Sequence, residues 1–179
     1  MCKRRAATGI IARMNAEEIR TLQAPLKARY KEDPSAAVVT LRAEGNLGDG
    51  ISCSVETGRA LVKAGLHPAT GGTGELACSG DMLLQALVAC AGVTLNPVAT
   101  ALGMNVRSGS LVAEGDLDFR GTLGVAKDAP VGFRAIRLKI DVHSDAPPEQ
   151  IAKLIQLTER YCVVYQTLAG NPQLSISNG

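Results

Sequence analysis

The stretch Ser-Gly-Asp-Met-Leu-Leu-Gln-Ala-Leu-Val-Ala-Cys-Ala-Gly-Val-Thr-Leu, residues 79–95, decides the fold. It predicts a long helix that starts near Ser79, a good N-cap. Asp81 then falls in the first turn, where a carboxylate suits the helix dipole. The helix carries Cys90, reaches about Leu95 and, kinked at Pro97, extends to Leu102. It is apolar nearly all round. A helix of that kind is covered on every side, in a large core or at a subunit interface.

A second stretch, Glu-Arg-Tyr-Cys-Val-Val-Tyr-Gln-Thr-Leu at 159–168, closes a helix predicted from about Pro147 to Ala169, with Gly170 as its stop. Ile151, Ile155, Thr158, Cys162 and Tyr165 fall on one face of it, at spacings of four and three. A short strand over Gln173–Ser177 follows.

Between and before these helices the period changes to two. Leu111, Ala113, Gly115, Leu117 and Phe119 alternate with polar or charged residues, and so do Ile136, Leu138, Ile140 and Val142. Paired antiparallel, the two strands are expected to set Asp116 and Asp118 across from Lys139 and Arg137. The Gly121–Gly132 connection is long for a hairpin. Earlier, Val38–Ala43 and Ile51–Thr57 read as a hairpin with Cys53 facing inward. Residues 59–77 hold a glycine-rich loop and no clear element. The expected class is α+β, because no regular strand–helix–strand alternation appears.

The chain has 179 residues, enough for one domain, and 46% of them are hydrophobic, enough for a core. Aromatics make up 3%, with no Trp, which argues against a stacking platform for single-stranded nucleic acid. Charge is unevenly placed: residues 1–31 hold eight Lys/Arg against two Glu, whereas the remainder is mildly acidic. Asn15 and Glu18 suggest a capping box opening a short helix through Ile19 and Leu22, which Pro25 should end or kink. Asp33-Pro34-Ser35 reads as a linker. The expected organisation is therefore a basic helical segment and linker over 1–35 and a folded domain over 36–179. A solvated basic face is the plainer reading of the first segment, and nucleic acid is not expected as a partner. Lys3-Arg4-Arg5 is followed by no apolar core of signal-peptide length. The apolar run 82–104, interrupted by Gln85, Asn96 and Pro97, is read as falling short of a membrane span. A soluble, cytoplasmic protein is expected.

Chemistry comes down to the thiols. Cys2, Cys53, Cys78, Cys90 and Cys162 show no Cys-x-x-Cys spacing, and His67 and His143 lie far apart, so neither a disulfide framework nor a metal site is expected. Gly72, Gly74 and Ala77 mimic a dinucleotide fingerprint, but no strand leads into them. His143 reads as a solvated strand residue. By composition and spacing alone, Cys90 and Cys162 fit core filler and nucleophile equally well.

Residues 79–95 resemble the first cysteine helix of the OsmC/Ohr family, and 159–168 resemble its second cysteine motif. The order of elements is similar from about residue 36 to 178. The resemblance implies an intertwined homodimer, with two antiparallel β-sheets around two long apolar cysteine-bearing helices. It implies a thiol-dependent peroxidase active on organic hydroperoxides, serving antioxidant defence. Cys90 would be the peroxidatic thiol and Cys162 the resolving one, with an external dithiol as reductant and no cofactor. In the family an arginine held by a glutamate activates the thiol. Here the glutamate position falls at Gly80, and Asp81 and Arg42 are the candidates for tuning Cys90. Asp81 lies about 13–14 Å along a straight helix from Cys90, so it would act only through a bent start or from a second subunit. The proline usual after the second cysteine is Val163, and the small polar residue expected further on is Tyr165. These departures keep open a competing reading: a dimer of the same fold that binds an apolar small molecule without redox chemistry.

Overall fold

The computed structural model describes residues 16–47, 53–55 and 64–178, with backbone only for 16–20, 40–47 and 53–55. Helix α1 (Ala16–Glu32) leads through a 3-10 turn, Pro34–Ala37, into strand β1 (Val38–Leu47). Then come β2 (Cys53–Val55), β3 (Ala64–Gly65), β4 (Ala77–Cys78), α2 (Ser79–Ala101) and β5 (Val106–Asp118). The short α3 (Phe119–Thr122), β6 (Phe133–Ser144), α4 (Pro148–Tyr161) and α5 (Val163–Ala169) complete the described elements.

The α+β class holds, but the sheets differ from expectation. The two hairpins are not separate sheets. Strand β1 pairs with β5 from Val38↔Asp118 to Asn46↔Ser110, which merges them into one antiparallel sheet of order β2-β1-β5-β6. The second sheet is a short parallel pair, β3 with β4, in the region that lacked a clear element. The merging follows from the apolar face of β5. Leu111, Ala113 and Leu117 are all buried, and covering them takes a strand on each side and α2 across the face. Gly115 belongs to this row for a steric reason: a Cβ there would stand 2.4 Å from the Phe133 ring on β6.

The β5–β6 register also departs from expectation. Arg137 pairs with Glu114, and Asp116 faces Ala135. Arg137 then reaches diagonally to Asp116 at 2.5 Å and to Glu114 at 3.8 Å. Asp118 is not on the outer face. It is 1% exposed, caps α3 and accepts the Arg120 guanidinium at 2.6 Å. These hydrogen bonds from Arg120 hold its carboxyl below the usual range despite burial.

Helix α2 runs unbroken through Gln85, Asn96 and Pro97. Contrary to the sequence expectation, it is the one helix among the described residues long and apolar enough to cross a membrane. Its N-cap is Cys78 rather than Ser79. Leu84, Leu87, Val88, Ala91, Leu95 and Ala99 form one buried stripe against the sheet. On another side of it Met82, Leu83 and Val93 remain 37–42% exposed.

The second cysteine helix is neither single nor apolar all round. It is two helices, with Cys162 at φ −71°, ψ 108° between them. Helix α4 is amphipathic, burying Leu154 and Thr158 and exposing its charged face. So among the described residues one long apolar helix is present rather than two. The final segment also differs: residues 171–178 form no strand, and Leu174 and Ile176 are 90% and 102% exposed.

At the other end, Pro25 does not terminate α1. The half beyond it is tied to the body. Tyr30 is 2% exposed within the main hydrophobic cluster, and its hydroxyl donates to the Ala69 carbonyl at 2.6 Å. Asn15 lies outside the described residues. Asp33-Pro34-Ser35 is a capped turn, with Ser35 N–H and Oγ both donating to the Asp33 carboxylate.

Candidate functional site: a thiol pair at a helix break

The break at Cys162 is what builds the site. Cys162 N–H still donates to the Thr158 carbonyl at 2.9 Å and closes α4. The extended Cys162 backbone then turns the next two amides away. In a continuous helix the N–H groups of Val163 and Val164 would bond the carbonyls of Glu159 and Arg160. Here they act instead on the sulfur of Cys90, on the neighbouring α2, favouring its thiolate. The Glu159 carbonyl is not left bare, because Gln166 Nε2 donates to it at 3.0 Å. Cys162 itself caps α5, its sulfur accepting from Tyr165 N–H at 3.5 Å.

Cys90 and Cys162 therefore meet. Their side chains are hydrogen-bonded to each other, both thiols are free, and Cys162 is 1% exposed. Their acidities are pulled apart. Burial pushes the Cys90 thiol up, but donors from Val164 N–H, the Cys162 thiol, Val163 N–H and the Thr94 hydroxyl outweigh it. The net effect holds Cys90 below its ordinary value, toward the thiolate. Burial also pushes Cys162 up, and the neighbouring Cys90 charge adds to it, reaching about 11. The pair is thus one sulfur poised as a nucleophile and one held as a protonated donor beside it.

The helix-terminus contribution that Cys90 lacks in the middle of its own helix comes instead from the start of α5. Sequence reasoning missed these amides, since a backbone donor has no residue signature. One signal was present: Val163 and Val164 are adjacent β-branched residues, which weaken a helix at that point. The replacement of the usual proline matters here as well. Proline has no N–H, whereas Val163 supplies one.

The two tuning candidates stand elsewhere. Arg42 occupies a β1 position opposite Glu114, and its side chain lies outside those described. Asp81 is in the first turn of α2, where burial pushes its carboxyl above the usual carboxylate range and His67 opposes that. Asp81 is not among the described groups acting on Cys90. His67 stacks on Phe119 with centroids 5.0 Å apart and lines a cavity of about 370 Å³ with Cys78 and Ser79, at the N-terminal end of α2. His143 is exposed on β6. The Cys53 side chain and Cys2 fall outside what is described. Among the described residues no cluster of three or more His, Cys, Asp or Glu is placed to hold a metal ion.

A cavity of about 180 Å³ adjoins the thiol pair. Cys162 and Ala91 form part of its wall, with Ile136, Leu138 and Ile140 of β6 facing Ile155 of α4.

This arrangement belongs to a known class. The family model for OsmC-like proteins matches residues 72–177, and the chain belongs to that family. Solved structures share its fold. One is an OsmC-like hydroperoxide resistance protein from Jannaschia sp. CCS1, at a TM-score of 0.55 and 17% identity, covering 78% of this chain and 91% of that one. Another is an OsmC-like protein from Mycoplasma pneumoniae, at a TM-score of 0.53 and 20% identity, covering 74% and 86%. Among curated proteins none matches.

Proposed function

We propose that this protein is a thiol-dependent peroxidase that reduces organic hydroperoxides in antioxidant defence. The observation that carries the reading is the split pair: a Cys90 sulfur drawn toward the thiolate by three kinds of donor, in contact with a protonated Cys162. The name of the Jannaschia relative, a hydroperoxide resistance protein, supports the substrate class.

The chemistry balances as follows. The Cys90 thiolate attacks the terminal oxygen of ROOH, the O–O bond breaks, and RO⁻ leaves and takes a proton to become ROH. Cys90 becomes a sulfenic acid. That step removes the Cys90 negative charge, which is one of the causes holding Cys162 protonated. Cys162 then loses its proton, attacks the sulfenic sulfur and expels hydroxide, which takes the proton to leave as water. The resulting disulfide is reopened by an external dithiol. No cofactor enters.

In this reading the catalytic domain spans 36–179, the segment 1–35 is an attachment docked through Tyr30, the protein is cytoplasmic, and it works as a homodimer. Support for the dimer is the uncovered side of α2 and the bare Leu174 and Ile176. Arg42 and Asp81 are then candidates to approach Cys90 from the second subunit.

The second reading, binding of an apolar molecule without redox chemistry, is favoured by the cavity beside Cys162. One experiment separates the two. Reduced protein is treated with one equivalent of cumene hydroperoxide and its free thiols are counted. The parent is expected to lose two thiols and form a Cys90–Cys162 disulfide. Equal loss at an equal rate in Cys90→Ser sinks the peroxidase reading.

A further inference from the structure

The apolar cavity next to the thiol pair has one polar end, and its chemistry is one-sided. Three walls come from alternate residues of β6, Ile136, Leu138 and Ile140, so the cationic residues between them, Arg137 and Lys139, belong to the opposite face. Those two are engaged there with Glu114, Asp116 and Asp141. Thr158 also lines the cavity, but its hydroxyl donates to the Leu154 carbonyl at 2.8 Å. Glu159 and Tyr165 supply the polar end, where burial and the neighbouring Glu159 carboxylate hold the Tyr165 phenol protonated. With its proton committed to Glu159, the phenol offers a ligand only an acceptor. The carboxylate likewise offers acceptors and a negative charge. The nearest cations of α4, Lys153 and Arg160, line a separate polar groove on the other side of Glu159.

We propose that this cavity is a binding site for a small uncharged molecule, an apolar body carrying an O–H or N–H donor, and that Glu159 is the residue that excludes anions from it. The volume, about 180 Å³, is close to the roughly 150 Å³ of apolar cavities that hold a benzene ring. The occupant is therefore about one ring or a branched alkyl group in size. Its donor meets Glu159 or the Tyr165 oxygen, and its body lies against Ile136, Leu138 and Ile155. A carboxylate at the same place finds no free donor among the described side chains, and a like charge about 4 Å away weakens it about fivefold even at the dielectric constant of water. Where the peroxidase reading holds, the occupant is the organic body of the hydroperoxide. The inference deepens that reading and rests on it only for the identity of the reactive group.

The test uses probes without an O–O bond, so that its outcome is separable from peroxidase activity. Cumyl alcohol and its anionic counterpart 2-methyl-2-phenylpropanoate are titrated into the reduced full chain, with binding followed through the methyl resonances of Ile136, Leu138, Ile140 and Ile155. The alcohol is expected to shift these signals and to bind at least about fivefold more tightly than the carboxylate. Glu159→Gln, at an exposed position, is expected to keep the alcohol affinity and bring the carboxylate close to it. Equal preference in the parent and in Glu159→Gln overturns the role of Glu159. Failure of the alcohol to move those methyl signals overturns the site. So does binding that appears only in Leu174→Asp/Ile176→Asp, because a tail from a second copy would then be the natural occupant. If the thiol count supports peroxidase chemistry, Glu159→Gln is expected to raise kcat/KM for a carboxylate-bearing hydroperoxide about fivefold relative to that for cumene hydroperoxide. A protein that binds the alcohol selectively yet loses no thiols to peroxide retains this site and loses the peroxidase reading.

Discussion

Val163 is the residue at which this chain differs most usefully from the motif it resembles. It occupies the first position of α5, where a proline is sterically welcome, and the Cys162 backbone before it is already extended, as a residue preceding proline must be. Val163→Pro therefore removes one N–H from the Cys90 sulfur with little cost to the fold. A hydrogen bond to a charged group is worth about 1.5–3 kcal/mol, so alkylation of Cys90 at neutral pH is expected to slow about tenfold, measured by iodoacetamide rates on the Cys162→Ser background. The pH profile should move with it. Because the Cys90 value is lowered, thiolate reactivity persists as pH falls below the ordinary thiol range and disappears only on passing the lowered value. In Val163→Pro that loss is expected at higher pH. An unchanged profile would show that the amide is idle. Cys162 behaves oppositely. With its value raised to about 11, it stays protonated through neutral pH, and it donates to Cys90 rather than competing with it. The sequence placed both cysteines on apolar faces. It did not reveal which sulfur is the acid, since that depends on three groups of residues 162–164, distant in sequence, together with Thr94 of the Cys90 helix.

At the scale of elements, α2 is the member on which the rest is assembled. Its buried stripe, Leu84 through Ala99, packs on the sheet and on α4 and α5 at once. Leu84 is 0% exposed, and its truncation to Ala is expected to cost about 2–5 kcal/mol, read from the midpoint of urea unfolding. Met82→Ala, on the uncovered side, should leave the monomer's stability within about 0.5 kcal/mol. A large loss there would mean that this side is covered. Helix α2 was legible because a run of predominantly apolar residues this long leaves little choice. The division of the second helix was not, because the periodic stripe Ile151, Ile155, Thr158, Cys162, Tyr165 continues across the break. The stripe does keep one job on both sides of it: Ile155, Thr158, Cys162 and Tyr165 all line the same cavity. Pro25 is the converse case. Local chemistry argued for a helix end, and the tertiary anchor at Tyr30 overrode it.

At the scale of the whole molecule, apolar side chains stand bare on the described surface of α2 and in the tail after Gly170, among other places. Leu174 and Ile176 alternate with Gln173, Ser175 and Ser177, the pattern of a half-buried strand, yet both apolar side chains stand in solvent. Strand β6 ends the sheet on one side. A second copy covering these features is expected to appear as a dimer in sedimentation velocity at micromolar concentration. Leu174→Asp/Ile176→Asp should shift that equilibrium toward monomer, and a monomeric parent would remove the dimer from the proposal. The class, the long apolar helix, the β5 and β6 strands and the two cysteines were written in local pattern: period, caps and residue type. What only the tertiary structure decided was which strands share a sheet, where Asp118 points and how the thiols divide one proton. Those outcomes depend on groups far apart in sequence meeting in space. A backbone amide of Val163 becomes part of the Cys90 site only once α5 has packed against α2.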